Sequence, residues 1–184
     1  VIRIFEHYCA LSKESKNKIS EVIQTKELPK KSIIHKQFNV CNQLFYIKKG
    51  VARIFYYKRN LDITDAFITE GQLITAIDSF FSRKESLYNI ELLEDSIIET
   101  IHIIDLEKLF ITCPEMDKIG RLMTLDYIKM VIDRVQSLQF DSAKKRYEKL
   151  LISNPTLINR VSLGQIASYL GITQETLSRI RGKK

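Results

Sequence analysis

The sequence predicts an α+β protein in three parts: a roll of short antiparallel strands, one long helix, and a closing pair of short helices. Three observations carry this expectation. From about residue 33 to residue 104 the chain is aromatic and β-branched, and turn signals cut it into short runs. From Glu115 to Gln139 it has no proline and a single glycine, Gly120, and its apolar residues recur at three-four spacing. From Ser162 to Arg181 it carries a capping signal, a glycine break and a second short apolar stripe.

Composition bounds the reading. The 184 residues suffice for one large domain or two small ones. With 45% hydrophobic and 28% charged residues, the chain is globular rather than disordered. No apolar run approaches the roughly 20 residues of a membrane helix, so no membrane partner is expected. The first residue is Val1 rather than Met, which suggests a start inside a longer chain, and no targeting segment is visible. Cys9, Cys41 and Cys113 are scattered, with no CxxC pair, which argues against a structural zinc site or a disulfide framework. Such thiols fit a reducing cytoplasm, and they are expected to be unconnected and partly buried rather than a redox sensor.

Net charge is +7, and it is unevenly placed. From Phe140 to Lys184 nine Lys or Arg face three acids, a net of +6, which leaves +1 for the rest of the chain. Basic charge gathered in the last quarter points to a polyanionic partner.

The elements follow in order. Residues 1 to about 28 read as helical, because "SKESKNKISEVIQTKEL" sets Ile19, Val22 and Ile23 at helical spacing. "LFYIKKGVARIFYY" reads as two strands around a turn at Lys48-Lys49-Gly50, and "KRNLD" as a second turn before the strand "ITDAFI". "IIETIHII", Ile97 to Ile104, alternates once more. Short strands without helices between them predict a cupin-like antiparallel β-roll or barrel. Cys113-Pro114 closes this region, and Pro114 is pre-set for a first helical turn.

In the long helix Leu125, Ile128, Ile132 and Val135 form a coiled-coil-like seam, while Met123, Tyr127 and Met130 form a second stripe. Two apolar faces need two partners. The simplest pair is the chain's own strands and the same helix of a second subunit, so a homodimer is expected; burial within one subunit is the alternative. "FDSAKKRYEKLLISNP" then starts a helix that Asp141 or Ser142 caps and Asn154-Pro155 ends.

The ending "VSLGQIASYLGITQETLSRIRGKK" is the most informative stretch. Ser162 and Gln165 are spaced as a capping box. Ile166 and Leu170 share a face, Ala167 permits close approach of a second helix, and Gly171 ends the first helix with a positive φ. Ile172 plugs the corner, Thr173 caps the second helix, and Leu177 and Ile180 turn inward. Gln174, Glu175, Ser178 and Arg179 then face outward from the first turns of a short helix. This is the build of a helix-turn-helix, whose second helix suits the DNA major groove. There Arg bonds guanine, Gln bonds adenine and Glu accepts from cytosine. Lys144, Lys145, Arg146, Lys183 and Lys184 would add non-specific phosphate attraction.

On these residues the whole chain resembles the CRP/FNR family of bacterial transcription regulators. The resemblance is most specific in "IASYLGITQETLSRIR", which is similar to the DNA-reading element common in Bacteroidetes members. It implies a sensor resembling a cyclic-nucleotide-binding domain over residues 1–113, a dimerisation helix over 114–139 and a DNA-binding domain over 140–184. It implies Gln174, Glu175 and Arg179 as base readers, with Thr173, Thr176 and Ser178 near phosphates. The partners it implies are a second copy of the chain, double-stranded DNA with an inverted repeat, and RNA polymerase. Many members carry further strands after the reading helix; here the sequence given stops at Lys184, and the basic tail from Arg181 is expected either to contact phosphate instead or to be solvated and frayed.

In members that bind cyclic nucleotides, a Gly-Glu-Leu segment and an Arg-Ser or Arg-Thr pair hold the ribose and phosphate. The matching stretch here is "EGQLITAIDSFFSRKESLYNIELLEDS". Aligning Gly71 with the family glycine sets Ala76 at the ribose-binding Glu and Ser86-Leu87 at the Arg-Ser pair. A buried phosphate without a charged partner is disfavoured. Arg83 reaches the spot only if the loop shifts. Cyclic-nucleotide binding is therefore not expected, and another small effector or none is. No cofactor or metal is expected either. The cysteines do not cluster for an iron–sulfur centre, nothing singles out His7, His35 or His102 as a haem ligand, and no His-x-His occurs for a cupin metal. No nucleophile–base–orienter set suggests an enzyme. The competing expectation is a cupin-like ligand-binding or metal-dependent protein whose C-terminal helices contact other proteins.

Overall fold

The computed structural model describes residues 1–182. Two helices open the chain, α1 (Ile2–Tyr8) and α2 (Lys13–Val22). Ser12 caps α2, its side chain accepting from the Ser15 N–H at 3.1 Å. The helix expected to continue to about residue 28 ends sooner. Gln24–Leu28 is strand β1, antiparallel to β8 (Ser96–His102) along its whole length. The apolar stripe of α2 runs out at Val22, and the edge of β8 offers "QTKEL" a full ladder of partners, so pairing overrides local propensity.

The other strands are β2 (Ile33–His35), β3 (Gln43–Lys49), β4 (Ala52–Lys58), β5 (Leu61–Ile68), β6 (Leu73–Ile74) and β7 (Asn89–Leu92). They form two four-stranded antiparallel sheets, in the orders β1-β8-β3-β6 and β2-β7-β4-β5. The expected roll is thus a pair of sheets rather than a closed barrel. Alternation buries Phe45 and Ile47 of β3, Ile90 and Leu92 of β7, and Ile98 of β8 in one core with Phe5, Ile19 and Phe80. At the β3–β4 turn Gly50 has a φ of +114°, and a Cβ there would fall 2.1 Å from Ser96 Oγ, so no side chain fits.

The strand region contains two helices that the sequence pattern did not announce. A four-residue helix α3 (Ile77–Phe80) lies between β6 and β7. Helix α4 (Ile103–Thr112) follows β8 directly, where Ile103 and Ile104 had read as strand. His102 makes the change: its Nδ1 accepts from the Ile104 N–H at 3.3 Å, and Leu106 and Leu109 then reach the core at helical spacing. An apolar run such as "IHIIDLEKLFI" fits either period.

Helix α5 (Glu115–Phe140) is about 39 Å long. Its start is anchored, with Met116 and Ile119 in the core and Glu115 accepting from the Ser12 N–H at 2.8 Å and Ser15 Oγ at 2.7 Å. Further along, the predicted seam stands in the open: Leu125, Ile128, Ile132 and Val135 are 46–53% exposed. Tyr127, Met130, Val131 and Leu138 are exposed beside them.

Helix α6 (Ala143–Ser153), a 3-10 turn (Leu157–Asn159), α7 (Leu163–Leu170) and α8 (Gln174–Gly182) complete the chain. Ser142, rather than Asp141, caps α6. A second core gathers Tyr147, Leu150, Leu157, Ile166, Ala167, Leu170 and Leu177, and Val51 and Leu93 from the sheets join it. Among the described residues no helix is long and apolar enough to cross a membrane.

Candidate nucleic-acid interface

Helices α7 and α8 are held by local bonds that the sequence announced. The capping box is closed in both directions, Gln165 N–H to Ser162 Oγ at 3.2 Å and Ser162 N–H to Gln165 Oε1 at 3.1 Å. Gly171 takes the left-handed conformation at φ +67°. Thr173 Oγ1 accepts from the Thr176 N–H at 3.2 Å and so starts α8. Leu177 is fully buried and Ile180 is half-buried.

Burial of Leu177 fixes what α8 shows outside. Gln174, Glu175, Ser178 and Arg179 are all exposed, as is Thr173, while Thr176 is half-buried. Arg179 makes one bond among the described residues, a long one of 3.4 Å from Nη2 to Thr176 Oγ1. The Glu175 carboxyl is held below its ordinary range by a backbone N–H, the Thr173 side chain and the Arg179 charge. At neutral pH the face therefore offers an amide, an ionised carboxylate, a hydroxyl and a guanidinium.

The expected phosphate contacts divide. Lys144 and Lys145 extend into solvent from α6, resting 3.8 Å from Glu148 and 2.8 Å from Asp141. Arg146 does not: its Nε donates to the Leu170 carbonyl at 3.0 Å and its Nη1 to the Asp141 carbonyl at 2.7 Å. It closes the end of α7 against α6. Lys183 and Lys184 lie outside the described residues.

Residues that sequence reading passed over hold α7 on the sheets. Ser168 Oγ accepts from the Thr64 N–H at 2.9 Å and donates to the Asp62 carbonyl at 3.1 Å. Tyr169 packs on Phe67, and Arg134 of α5 stacks 4.0 Å over the Tyr169 ring and donates to its carbonyl. Arg160, just before α7, lies between Glu70 and Glu94, with bonds of 3.0 Å from Nη1 and 3.2 Å from Nε. The hairpin beneath is stiffened by buried Arg53, which donates to both carboxylate oxygens of Asp62 and to Glu91. The one sequence signal for this seam was a polar Ser168 set between Ala167 and Tyr169 on a short helix.

No family model and no curated protein matches the chain. Solved structures do. FixK2 from Bradyrhizobium japonicum aligns at a TM-score of 0.77 and 18% identity, over 88% of this chain and 84% of that one. The c-di-GMP responsive global regulator CLP of Xanthomonas campestris aligns at 0.72 and 14%, over 94% and 91%. A protein described as a transcriptional regulator of the crp/fnr family, from Eubacterium rectale, aligns at 0.71 and 19%, over 92% and 82%. The chain has the CRP/FNR regulator fold.

Within that fold the stretch matched above to the cyclic-nucleotide pocket runs from the β5–β6 turn to β7. Gly71 turns at φ +84°, and buried Ala76 begins α3 with no polar side chain to offer a ribose. Ser86 is buried and donates to both oxygens of Asp78 at 3.0 and 3.1 Å, and the Leu87 N–H donates to the same carboxylate at 3.1 Å. The Leu87 side chain itself is exposed. Arg83, at φ +58°, donates to the carbonyls of Cys41 and Phe80 and to the Asn42 side chain. Its guanidinium ties the loop to the approach of β3. The donors of Ser86 and Leu87 already hold a carboxylate, and Asp78 is a site residue that sequence reading did not pick out.

Proposed function

We propose that this protein is a transcription regulator that binds DNA sequence-specifically as a homodimer, on an inverted repeat. One observation carries the reading: burial of Leu177 turns Gln174, Glu175, Ser178 and Arg179 of α8 to solvent, on a helix that follows a capped first helix and a left-handed glycine. Gln174, Glu175 and Arg179 read base edges, and Thr173, Thr176 and Ser178 lie against phosphates. Residues 1–113 sense or scaffold, 114–139 pair two subunits through Leu125, Ile128, Ile132 and Val135, and 140–184 bind DNA. Pairing along α5 spaces two reading helices by about one DNA turn, roughly 34 Å. A cytoplasmic location and an RNA polymerase partner belong to the same reading, and no catalysis is assigned.

The sensor half does not bind cyclic nucleotides on this proposal. A cyclic phosphate needs a cation at Ser86-Leu87; the loop supplies the Asp78 carboxylate, and Arg83 is engaged elsewhere. The experiment is selection from a random duplex pool with the purified chain. Enrichment of an inverted repeat with half-sites about one turn apart supports the reading, and a pool that stays random after repeated rounds overturns it.

A further inference from the structure

At one end of the core the inward faces of the two sheets finish in polar residues. Register sets Phe45 opposite Thr100 and Gln43 opposite His102, so these four side chains share one face of the first sheet. His35 of β2, opposite Ile90, joins them from the second sheet. A cavity of about 260 Å³ opens here, with His35, Val40, Asn42, Phe45 and His102 among its lining residues. Sites for drug-sized ligands span roughly 300–1,000 Å³, so a ligand of this cavity is smaller.

Donors dominate the lining. His102 Nδ1 accepts from the Ile104 N–H at 3.3 Å, so the neutral ring carries its proton on Nε2, which makes no bond among the described residues. Asn42 Oδ1 accepts from the Arg83 guanidinium, which leaves the Asn42 Nδ2 as a donor. His35 is 8% exposed, and its Nε2 is buried without a hydrogen-bond partner among the described residues. Thr100, two residues before His102 on the same face, holds a second buried atom of this kind, its Oγ1. Buried polar atoms without partners are rare, and two in one inward layer mark a place where a polar ligand gains bonds that the fold leaves unmade. Among the described residues no acidic side chain lines the cavity, and no group of His, Cys, Asp and Glu converges to hold a metal ion. Arg83 adds positive charge at the rim, where it also donates to the Cys41 carbonyl at 3.0 Å.

We propose that this cavity binds a small monocarboxylate. Its oxygens accept from His102 Nε2 and Asn42 Nδ2, the buried His35 ring supplies a further N–H, and its carbon body lies against Val40 and Phe45. An ionised oxygen makes charge-assisted bonds roughly twice as strong as those of a neutral one, which selects the carboxylate over its amide. The apolar wall selects an anion with a carbon body over a mineral one. The lining comes from residues 34–45 and 102, outside the stretch matched to the cyclic-nucleotide pocket. The proposal is independent of DNA binding.

The test titrates the ¹⁵N-labelled full chain with benzoate, and separately with neutral benzamide, and follows amide and imidazole resonances. Benzoate is expected to shift His35, Asn42, Phe45 and His102 saturably, and benzamide to bind at least about tenfold more weakly. His102→Asn keeps a side-chain oxygen able to cap α4 and removes the Nε2 donor; with its fold checked by circular dichroism, it should weaken benzoate binding about tenfold. His35→Phe keeps a ring of similar shape without nitrogen and should weaken it likewise. No saturable shift below about 10 mM benzoate overturns the proposal. So do equal affinities for benzoate and benzamide, or shifts centred on the basic segment beyond Phe140 instead of the cavity. A folded His102→Asn protein that binds benzoate at wild-type strength overturns it as well.

Discussion

Among the described residues Arg179 makes one long bond, to Thr176, so little there holds its guanidinium back from a base edge. Arg179→Ala should therefore cost about 1–3 kcal/mol at one base pair and relax specificity there. Titration of a set of single-base operator variants measures this, and an equal loss on every sequence would contradict base reading. The residues of α8 were legible because their geometry is local: a cap, a left-handed glycine and one buried leucine fix the outward set within a dozen positions. Asp78 was not legible, since its partners Ser86 and Leu87 return to it around a loop with a left-handed Arg83. The bond of Arg146 to the Leu170 carbonyl was hidden for the same reason, since the two are 24 residues apart.

The seam between α7 and the sheets depends on ion pairing before α7. Arg160 draws the Glu70 carboxyl from an ordinary 4.5 down to about 2, helped by the Gly50 N–H. A carboxyl lowered on folding adds stability above its unfolded value and loses it as pH falls through the folded one. The clamp should thus weaken between about pH 4.5 and 2, by a modest amount since Glu70 is partly exposed. Hydrogen exchange of the α7 amides, corrected for intrinsic rate, should rise across that window, and Arg160→Ala should show the rise already at pH 7. Flat exchange in wild type would rule the clamp out. At α5, Ile132→Glu should weaken the proposed dimer about a hundredfold, roughly 3 kcal/mol, by setting an unpaired charge in the seam. Sedimentation equilibrium reads this directly, and an unchanged association constant places the interface elsewhere. The long helix was plain in its spacing. Strand β1 and helix α4 were not, because an edge pairing and the His102 cap decided them.

For the whole molecule, the concentration of positive charge beyond Phe140 predicts salt-sensitive binding. Replacing Lys144 and Lys145 together by Ala should flatten the slope of log K against log salt by about one per lysine and leave sequence preference intact. A slope that does not change removes both from the phosphate surface. The chain's succession of strands, long helix and short closing helices was readable from its change of texture. The way its parts join was not, since Phe67, Glu70, Glu94 and Arg134 carry no motif and meet α7 and its approach only in three dimensions. At the other end of the sheets, Asp78 behaves as a ligand that the polypeptide never releases. A tethered group competes at an effective concentration in the millimolar range or above. Any dissolved anion seeking the same donors starts at that disadvantage and must displace Asp78 from the Ser86 hydroxyl and the Leu87 N–H.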